Sequence, residues 1–208
     1  MSDSFYHIAT KNQYPWMKVN AMVVGTSITT GEVNPFFNYF LEFPDVRIDV
    51  VVGGVNEKWT KLRFLNELKH GRMNTSYTTQ QIAAIGQGAA MHFCKYTREL
   101  IWENIRASEF SNLPSRQKCI WLAHGDENLK YWINELSASR ETHRIYKVVP
   151  TGKLHYASDE HLLDDSELYP ETLEKVRKYW GGIITDTNAQ EIIFEGTLNI
   201  IEEIDYFS

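Results

Sequence analysis

The chain has 208 residues, 43% of them hydrophobic and 23% charged, a composition typical of one soluble globular domain with or without a substantial insertion. Its net charge of -6 excludes a general electrostatic attraction to nucleic acid or to anionic membranes, but not a local basic groove. Because the sequence has two isolated cysteines, no signal-peptide pattern and no apolar run of about 20 residues, we expect a cytoplasmic protein without disulfides, metal or membrane contact.

The first third of the chain predicts short strands and one packed aromatic segment. Residues 5–9 are expected to form a strand that opens the fold, and residues 20–31 a loop with a short strand. The segment NPFFNYFLEFP at 34–44 is bounded by prolines and predicts a packed loop or a short helix. Residues 46–53 predict another strand. Residues 55–73 predict a helix, because apolar residues recur at helical spacing at Val55, Trp59, Leu62 and Leu65.

The longest helical pattern begins after Thr78. Thr78 is followed by Gln81 at the spacing of a capping box, and the pattern continues until a helix end is expected near Phe110. Within it we predict one apolar face, formed by Phe93, Tyr96 and Leu100 and widened by Ile101.

The remaining sequence alternates strand and helix patterns. Strands are predicted at 119–123 and at 144–152, the second ending in a Pro-Thr-Gly turn, and one or two strands at 191–204. Short helices are predicted at 127–136 and 171–180. Strands at both ends of the chain with helices between them predict an α+β fold. No GxGxxG, GxxxxGK[ST], HExxH or GxSxG motif occurs, so the common nucleotide-fold and hydrolase fingerprints are absent.

A local concentration of basic residues precedes the long helix. Its members are Lys58, Lys61, Arg63, Lys69, His70 and Arg72. Two interpretations apply to such a cluster: a solvated basic face, which is the commoner case, and a groove for nucleic acid.

Four segments carry a resemblance to one superfamily. YHIATK at 6–11, followed by VGTSITTG at 24–31, looks like the opening of rifamycin ADP-ribosyltransferases, and RIYKVVPTG at 144–152 is similar to a strand of the same enzymes. CIWLA at 119–123 is similar to a strand of poly(ADP-ribose) polymerases, and EIIFEG at 191–196 to their glutamate-led strand. The chain thus resembles the ADP-ribosyltransferase superfamily, including an uncharacterised bacterial family with a long helix before a PSRxxCIWL signature.

The resemblance implies the fold and the extent of the domain. It covers roughly residues 5–40 and 115–204, whereas 45–112 have no counterpart in the small rifamycin enzymes. We therefore expect a single domain over 1–208, an ADP-ribosyltransferase-like split β-sandwich with a mainly helical insertion at about 45–112.

The resemblance also implies a catalytic trio, with NAD⁺ as the substrate and no metal. Glu191 would stabilise the positive charge that develops on the ribose when the nicotinamide bond breaks. His7 would hydrogen-bond the adenosine-side ribose, and Trp121 would stack on the cationic nicotinamide ring. Glu195 is a rival for Glu191, because residues four apart on a strand share one face.

Three further residues are implied to bind the cofactor. Thr10 would assist through its hydroxyl, and Gly25 belongs to the glycine-spaced loop of the opening motif. Arg116 would grip the pyrophosphate as a bidentate donor, its alternative being a surface arginine in a loop. Trp121 departs from the family pattern, because the polymerase branch usually has Tyr there. The departure favours mono-ADP-ribosylation over polymer elongation.

These features lead to four hypotheses about function. The first is transfer of ADP-ribose to a macromolecule, with RNA or DNA favoured over protein, as expected for a bacterial toxin or anti-phage effector that an antitoxin would restrain. The second is a small-molecule, rifamycin-type ADP-ribosyltransferase. The third is an NAD⁺ glycohydrolase with water as acceptor. The fourth is a binding module that has the fold without the chemistry.

Overall fold

A computed structural model of the protein describes residues 4–17, 22–42, 46–162 and 168–207. Within these ranges the chain forms seven strands, five α-helices and one 3-10 turn. In chain order the elements are β1 (Phe5–Thr10), β2 (Ser27–Thr29), α1 (Pro35–Glu42), β3 (Arg47–Val52), β4 (Val55–Thr60), α2 (Lys61–Lys69), α3 (Thr79–Glu109), β5 (Ile120–His124), α4 (Gly125–Glu135), β6 (His143–Ser158), the 3-10 turn Asp159–His161, α5 (Tyr169–Trp180) and β7 (Gln190–Ile204).

The main sheet is antiparallel and is organised around the long β6–β7 pair. β1 pairs with the first half of β6, β5 pairs with the first half of β7, and β2 pairs with β7 beyond β5. β1 and β5 also meet, through the pairs Phe5–His124 and Tyr6–Ala123. The pairings β1–β6–β7–β5–β1 therefore form a closed cycle, and the expected α+β class is confirmed.

The β6 strand does not end where the sequence predicted. Pro150 and Gly152 lie inside the ladder, opposite Leu198 and Gly196, and the strand continues to Ser158. The prediction of a Pro-Thr-Gly turn was wrong: β1 stops pairing with β6 at Val148, so Pro150 lies where that side of β6 is an edge, and an edge tolerates proline.

The segment before the long helix contains a hairpin that the sequence analysis missed. β3 and β4 form a two-stranded sheet joined at Gly53 and Gly54, which have φ values of 58° and 85°. Two consecutive positive φ angles are those of a tight hairpin turn, so residues 55–60 return along β3 instead of starting a helix. The helix begins only at Lys61, with Thr60 as its N-cap. The expected helical insertion is thus a ββα unit followed by α3.

The bounds of α3 agree with the prediction. Thr78 caps the helix, with both bonds of a capping box to Gln81, and Phe110 is the C-cap. The predicted apolar face was wrong, however, because Phe93 and Leu100 are exposed.

The buried face of α3 instead carries polar side chains beside apolar ones: Ala89, His92, Glu99, Trp102 and Ile105. This face packs towards α5 and the sheet, where Trp102 shares a core cluster with Val176 and Trp180. Glu99 forms an ion pair with Arg116 there, and this pairing offsets the free-energy cost of burying its charge.

Two hydrophobic cores lie on opposite sides of β7. Ile193 packs with helices α3 and α5, whereas Ile192 and Phe194 pack inside the closed sheet with Leu198. This alternation is the ordinary two-residue period of a strand, and it places Glu191 on the side that faces α3 and α5. No helix of the described ranges is long and apolar enough to cross a membrane.

Candidate functional site

A cavity of about 310 Å³ opens where β1 and β5 separate. Its lining comes from β1, α1, β5, α4 and β7: His7, Ile8, Phe36, Trp121, Leu122, Ala123, Trp132, Leu136 and Glu191. The volume lies at the lower end of the roughly 300–1,000 Å³ of small-molecule pockets. His7, Trp121 and Glu191 thus line the same cavity, while their catalytic roles stay predictions.

His7 sits at the point where the two strands part. Backbone pairing of β1 with β5 stops at Tyr6, and the His7 imidazole then bridges the gap, its Nδ1–H donating to the Trp121 carbonyl at 2.9 Å. Since a carbonyl only accepts, Nδ1 carries the proton and Nε2 is left as an acceptor in the neutral ring. Burial lowers the pKa of His7 below its ordinary 6.5, although the bond to Trp121 acts in the opposite direction.

Trp121 has a role beyond that of a stacking surface. Its indole Nε1–H donates to Glu191 Oε1 at 2.8 Å, and Phe36 from α1 meets its ring edge-on at a centroid distance of 5.6 Å. The indole thus positions the carboxylate, which the resemblance to an aromatic stacking residue did not suggest.

Glu191 is only 6% exposed and is held by donors from β5, from the turn before β5 and from α5. Trp121 donates to Oε1, and both Arg116 Nη1 and the Tyr179 hydroxyl donate to Oε2. A carboxylate offers about four lone-pair sites, so these three donors from the described chain leave room for one more, such as a sugar hydroxyl.

The assignment of Arg116 to a pyrophosphate, or to the surface, was wrong. Its side chain is 2% exposed and lies beneath Glu191, away from the cavity lining. Its Nε and Nη2 donate to the two oxygens of Glu99 at 2.9 and 3.2 Å. Burial alone would lower the pKa of Arg116, but Glu191 and Glu99 raise it well above its ordinary value. Arg116 is therefore a fixed cation that supports Glu191.

Two residues of this buried network were missed by the sequence analysis. Glu99, on α3, is fully buried and also accepts from Arg98 Nε at 3.0 Å. Burial opposes its ionisation, but Arg116 holds the pKa of Glu99 below its ordinary value. Tyr179, on α5, has a pKa raised well above its ordinary value, first by burial, so it remains a phenol that donates to Glu191.

A sequence signal for Glu99 did exist. Glu99 and Trp102 are three residues apart, and His92 lies two turns earlier, so all three share one helical face. An acidic residue in line with a tryptophan is usually solvent-facing, and only the fold shows that Arg116 lies opposite it.

The turn before β5 is fastened to α1. Asn34 Nδ2 donates to the carbonyls of Arg116 and Cys119 at 2.7 and 3.1 Å, and its Oδ1 caps the helix through Phe37 N–H. This clamp ties Phe36, which lines the cavity, to the segment that bears Arg116. Burial raises the pKa of Cys119 well above its ordinary value, which favours the neutral thiol over the nucleophilic thiolate.

The remaining candidates lie away from the cavity. Thr10 ends β1 opposite His143, and its hydroxyl accepts from Asn12 N–H at 3.2 Å. Gly25 forms a turn with a φ of 84° and donates its N–H to the Ile200 carbonyl at 2.9 Å. Glu195 accepts from Ser115 N–H at 3.0 Å. None of the three lines the described cavity, so the structure brings Glu191, and not Glu195, to the site.

Comparison with known proteins identifies a family whose description names no function. No curated protein matches the chain. A family described as "protein of unknown function (DUF2441)" matches residues 5–206. Because this match spans nearly the whole sequence, the chain belongs to the DUF2441 family.

Proposed function

We propose that the protein is a mono-ADP-ribosyltransferase that cleaves NAD⁺ and transfers ADP-ribose to a macromolecular acceptor. The observation that carries the proposal is the meeting of His7, Trp121 and Glu191, from three separate strands, in one cavity. The resemblance implied this trio, and 114 positions separate the first two members along the chain. Such a meeting is not expected of three unrelated residues.

The sheet is compatible with a split β-sandwich. Its pairings close into a cycle, and within the described residues the backbone pairing of β1 with β5 is limited to Phe5 and Tyr6. Beyond that contact the two strands separate and leave the crevice that contains the trio. This opening in the cycle gives an elongated dinucleotide access that two strands paired along their whole length would not give.

The chemistry we propose begins with heterolysis of the nicotinamide–ribose bond. The bonding electron pair leaves with nicotinamide, which becomes neutral, and the ribose C1′ becomes an oxocarbenium-like cation. An ionised Glu191 stabilises this charge and can accept a hydrogen bond from a ribose hydroxyl at its remaining lone pair. The acceptor nucleophile then bonds to C1′ and loses its proton to a base.

The other cavity residues fit the two ends of such a substrate. The Nε2 of neutral His7 can accept from a ribose hydroxyl, since Nδ1 is already committed to Trp121. Trp121, Phe36 and Trp132 give the cavity an aromatic lining that suits a planar, cationic nicotinamide.

The decisive experiment measures nicotinamide release and ADP-ribose transfer. The purified protein is incubated with labelled NAD⁺ and RNA, DNA, lysate protein or a rifamycin, and each fraction is searched by mass spectrometry for an added ADP-ribose. We expect label on a macromolecule, with nucleic acid ahead of protein. Label on the rifamycin alone would favour the small-molecule hypothesis, and release at equal speed without any acceptor would favour a glycohydrolase.

Glu191→Gln tests the catalytic carboxylate. We expect turnover to fall by about 10²–10³-fold or more, the usual cost of losing one electrostatic partner of a transition state. Glu195→Gln is the matched control, because Glu195 lies on the same strand and face but outside the cavity. Equal activity of wild type and Glu191→Gln contradicts the assignment.

A second candidate function is a binding module without catalysis. It is favoured by the direct contact of Glu191 with Arg116, which resembles a structural ion pair inside a folded core. Binding of NAD⁺ without any release of nicotinamide, in the presence of every acceptor above, would support it against the transferase.

A further inference from the structure

The long helix α3 contributes a residue to the site although it does not line the cavity. Glu99 stands at its centre, fully buried, and meets the Arg116 guanidinium with both carboxylate oxygens. Arg116 in turn donates to Glu191, which does line the cavity. A continuous chain of charged contacts thus joins the segment without a recognised counterpart to the proposed catalytic carboxylate.

The geometry of the guanidinium makes this contact directional. Arginine presents its N–H donors in a rigid planar fork, so two bonds fix the plane of the whole group. Glu99 takes Nε and Nη2, and this leaves Nη1 as the donor that points to Glu191 and to the Tyr179 hydroxyl oxygen. Glu99 therefore fixes the position of the Arg116 guanidinium next to Glu191.

The charges in the network also depend on Glu99. Arg116 serves two buried carboxylates, and Arg98 gives Glu99 a second cationic partner, so while Glu99 is ionised part of the Arg116 charge is directed away from Glu191. Without the charge of Glu99, Arg116 would be free to turn both ends of its fork towards Glu191. Arg116 would then neutralise more of the Glu191 charge, so Glu191 would stabilise an oxocarbenium ion less. Its hydrogen bond from the Trp121 indole would also weaken.

We propose that Glu99 is a positioning residue, which acts through Arg116 to fix the orientation and the negative charge of Glu191 in the cavity. Its effect on turnover rests on the proposed function. Its effect on the Glu191–Trp121 contact does not, because that contact exists in the protein without substrate.

The indole N–H of Trp121 provides a readout that needs no activity. We would record ¹⁵N–¹H spectra of the full chain and assign this signal by its loss in Trp121→Phe. In Glu99→Gln we expect the signal to move upfield, because Glu191 turns towards Arg116 and accepts more weakly from the indole. Glu103→Gln is the matched control: Glu103 lies one turn along α3 and touches the same turn of chain through Ser115, but pairs with Arg106.

The same variants are then assayed for nicotinamide release. We expect Glu99→Gln to lower kcat by about 10–100-fold, the range found when the residues that orient a site's ligands are removed, with a much smaller change in KM for NAD⁺. Glu103→Gln should stay near wild type. Glu99→Asp, which keeps the charge, should have a kcat between those of Glu99→Gln and wild type. If Glu99→Gln does not melt cooperatively, the spectrum and kcat of Glu99→Asp are compared with wild type instead.

The outcomes separate the two proposals. An indole signal that stays in place in Glu99→Gln, or that moves equally in Glu103→Gln, overturns the positioning role. A signal that moves as expected in a protein that never releases nicotinamide leaves the positioning role standing and overturns the proposed transferase.

Discussion

Glu191 shows how one buried side chain can be both restrained and available. Its two oxygens receive an indole, a guanidinium and a phenol from different elements, so its rotamer is set before any ligand arrives. Such preorganisation is what electrostatic stabilisation of a transition state requires, because no reorganisation is needed during the reaction.

His7 gives a pH prediction at the scale of one residue. Burial lowers its pKa in the folded protein below the ordinary 6.5. Above 6.5 the ring is neutral in both states; as the pH falls below 6.5 the unfolded chain takes up the proton first, so folding stability is lost. We expect the melting temperature to fall between about pH 7 and about pH 5, and His7→Asn to reduce that fall.

The Asn side chain suits this test because its amide N–H can replace the bond from Nδ1 to the Trp121 carbonyl without titrating. Some pH dependence should remain, since burial also lowers the pKa values of His143 and His155. The exposed His70→Asn is the control. Parallel curves for wild type and His7→Asn would show that His7 is not a source of the acid sensitivity.

The residues of the site could be predicted to different degrees. His7, Trp121 and Glu191 stand in short motifs whose order along the chain is informative, and the fold brings them together. Glu99 and Tyr179 stand in no motif. They join the site through contacts between α3, α5 and β7, and although Glu99 shares a helical face with Trp102, a single sequence does not reveal which partner lies opposite that face.

At the scale of the element, β6 and β7 approach each other closely where two glycines are paired. Gly152 and Gly196 face each other with φ values of 155° and 151°, and a Cβ on Gly152 would lie 2.4 Å from the Glu195 carbonyl oxygen. We expect Gly152→Ala to destabilise the protein by at least about 1–3 kcal/mol, the cost of a strained backbone alone. Urea unfolding measures the change.

Gly88 in α3 is the opposite case and serves as the control. An added Cβ there would lie 3.6 Å from Lys61 Nζ, the far end of a side chain and an ordinary contact distance, and the backbone is helical. Gly88→Ala should therefore stabilise the protein by about 0.5–1 kcal/mol. If both substitutions shift the urea midpoint in the same direction, the close approach of the two strands is not what requires glycine.

Local signals predicted most of the elements. The capping box at Thr78 located the start of α3, and the strands predicted at 5–9, 119–123 and 191–204 correspond to β1, β5 and β7. The errors in the bounds of β4 and β6 have a common cause. At Gly53 and at Gly152 the backbone conformation of one residue decides whether the chain turns back or continues, and composition alone does not reveal a φ angle.

On the scale of the whole molecule, charge is unevenly distributed. Residues 46–73, which hold the ββα unit, contain six Lys and Arg against three Asp and Glu, whereas the chain as a whole has a net charge of -6. Part of this charge is engaged, since Arg63 lies over the Trp59 ring and Arg72 pairs with Glu67. Lys58 and Lys69 are exposed.

This asymmetry predicts where a polyanionic acceptor would bind. We expect the double substitution Lys58→Glu and Lys69→Glu to weaken the binding of single-stranded RNA in a gel-shift assay, with a smaller dependence on salt, because fewer counterions are released. The exposed pair Lys130→Glu and Lys153→Glu is the control with the same change of charge. Equal weakening by both pairs would assign the effect to net charge instead of to the ββα unit.

The long separation of the site residues has a consequence for synthesis. The His7–Trp121 contact spans 114 positions, and the Arg116–Glu191 contact spans 75. A ribosome adds Glu191 only after β1, α3 and β5 have left it, so a nascent chain or a product interrupted before β7 has the cation of the site but not its carboxylate. If the proposed function holds, only chains translated through β7 cleave NAD⁺ in the cell that makes them. A chain whose translation stops earlier is an inactive fragment.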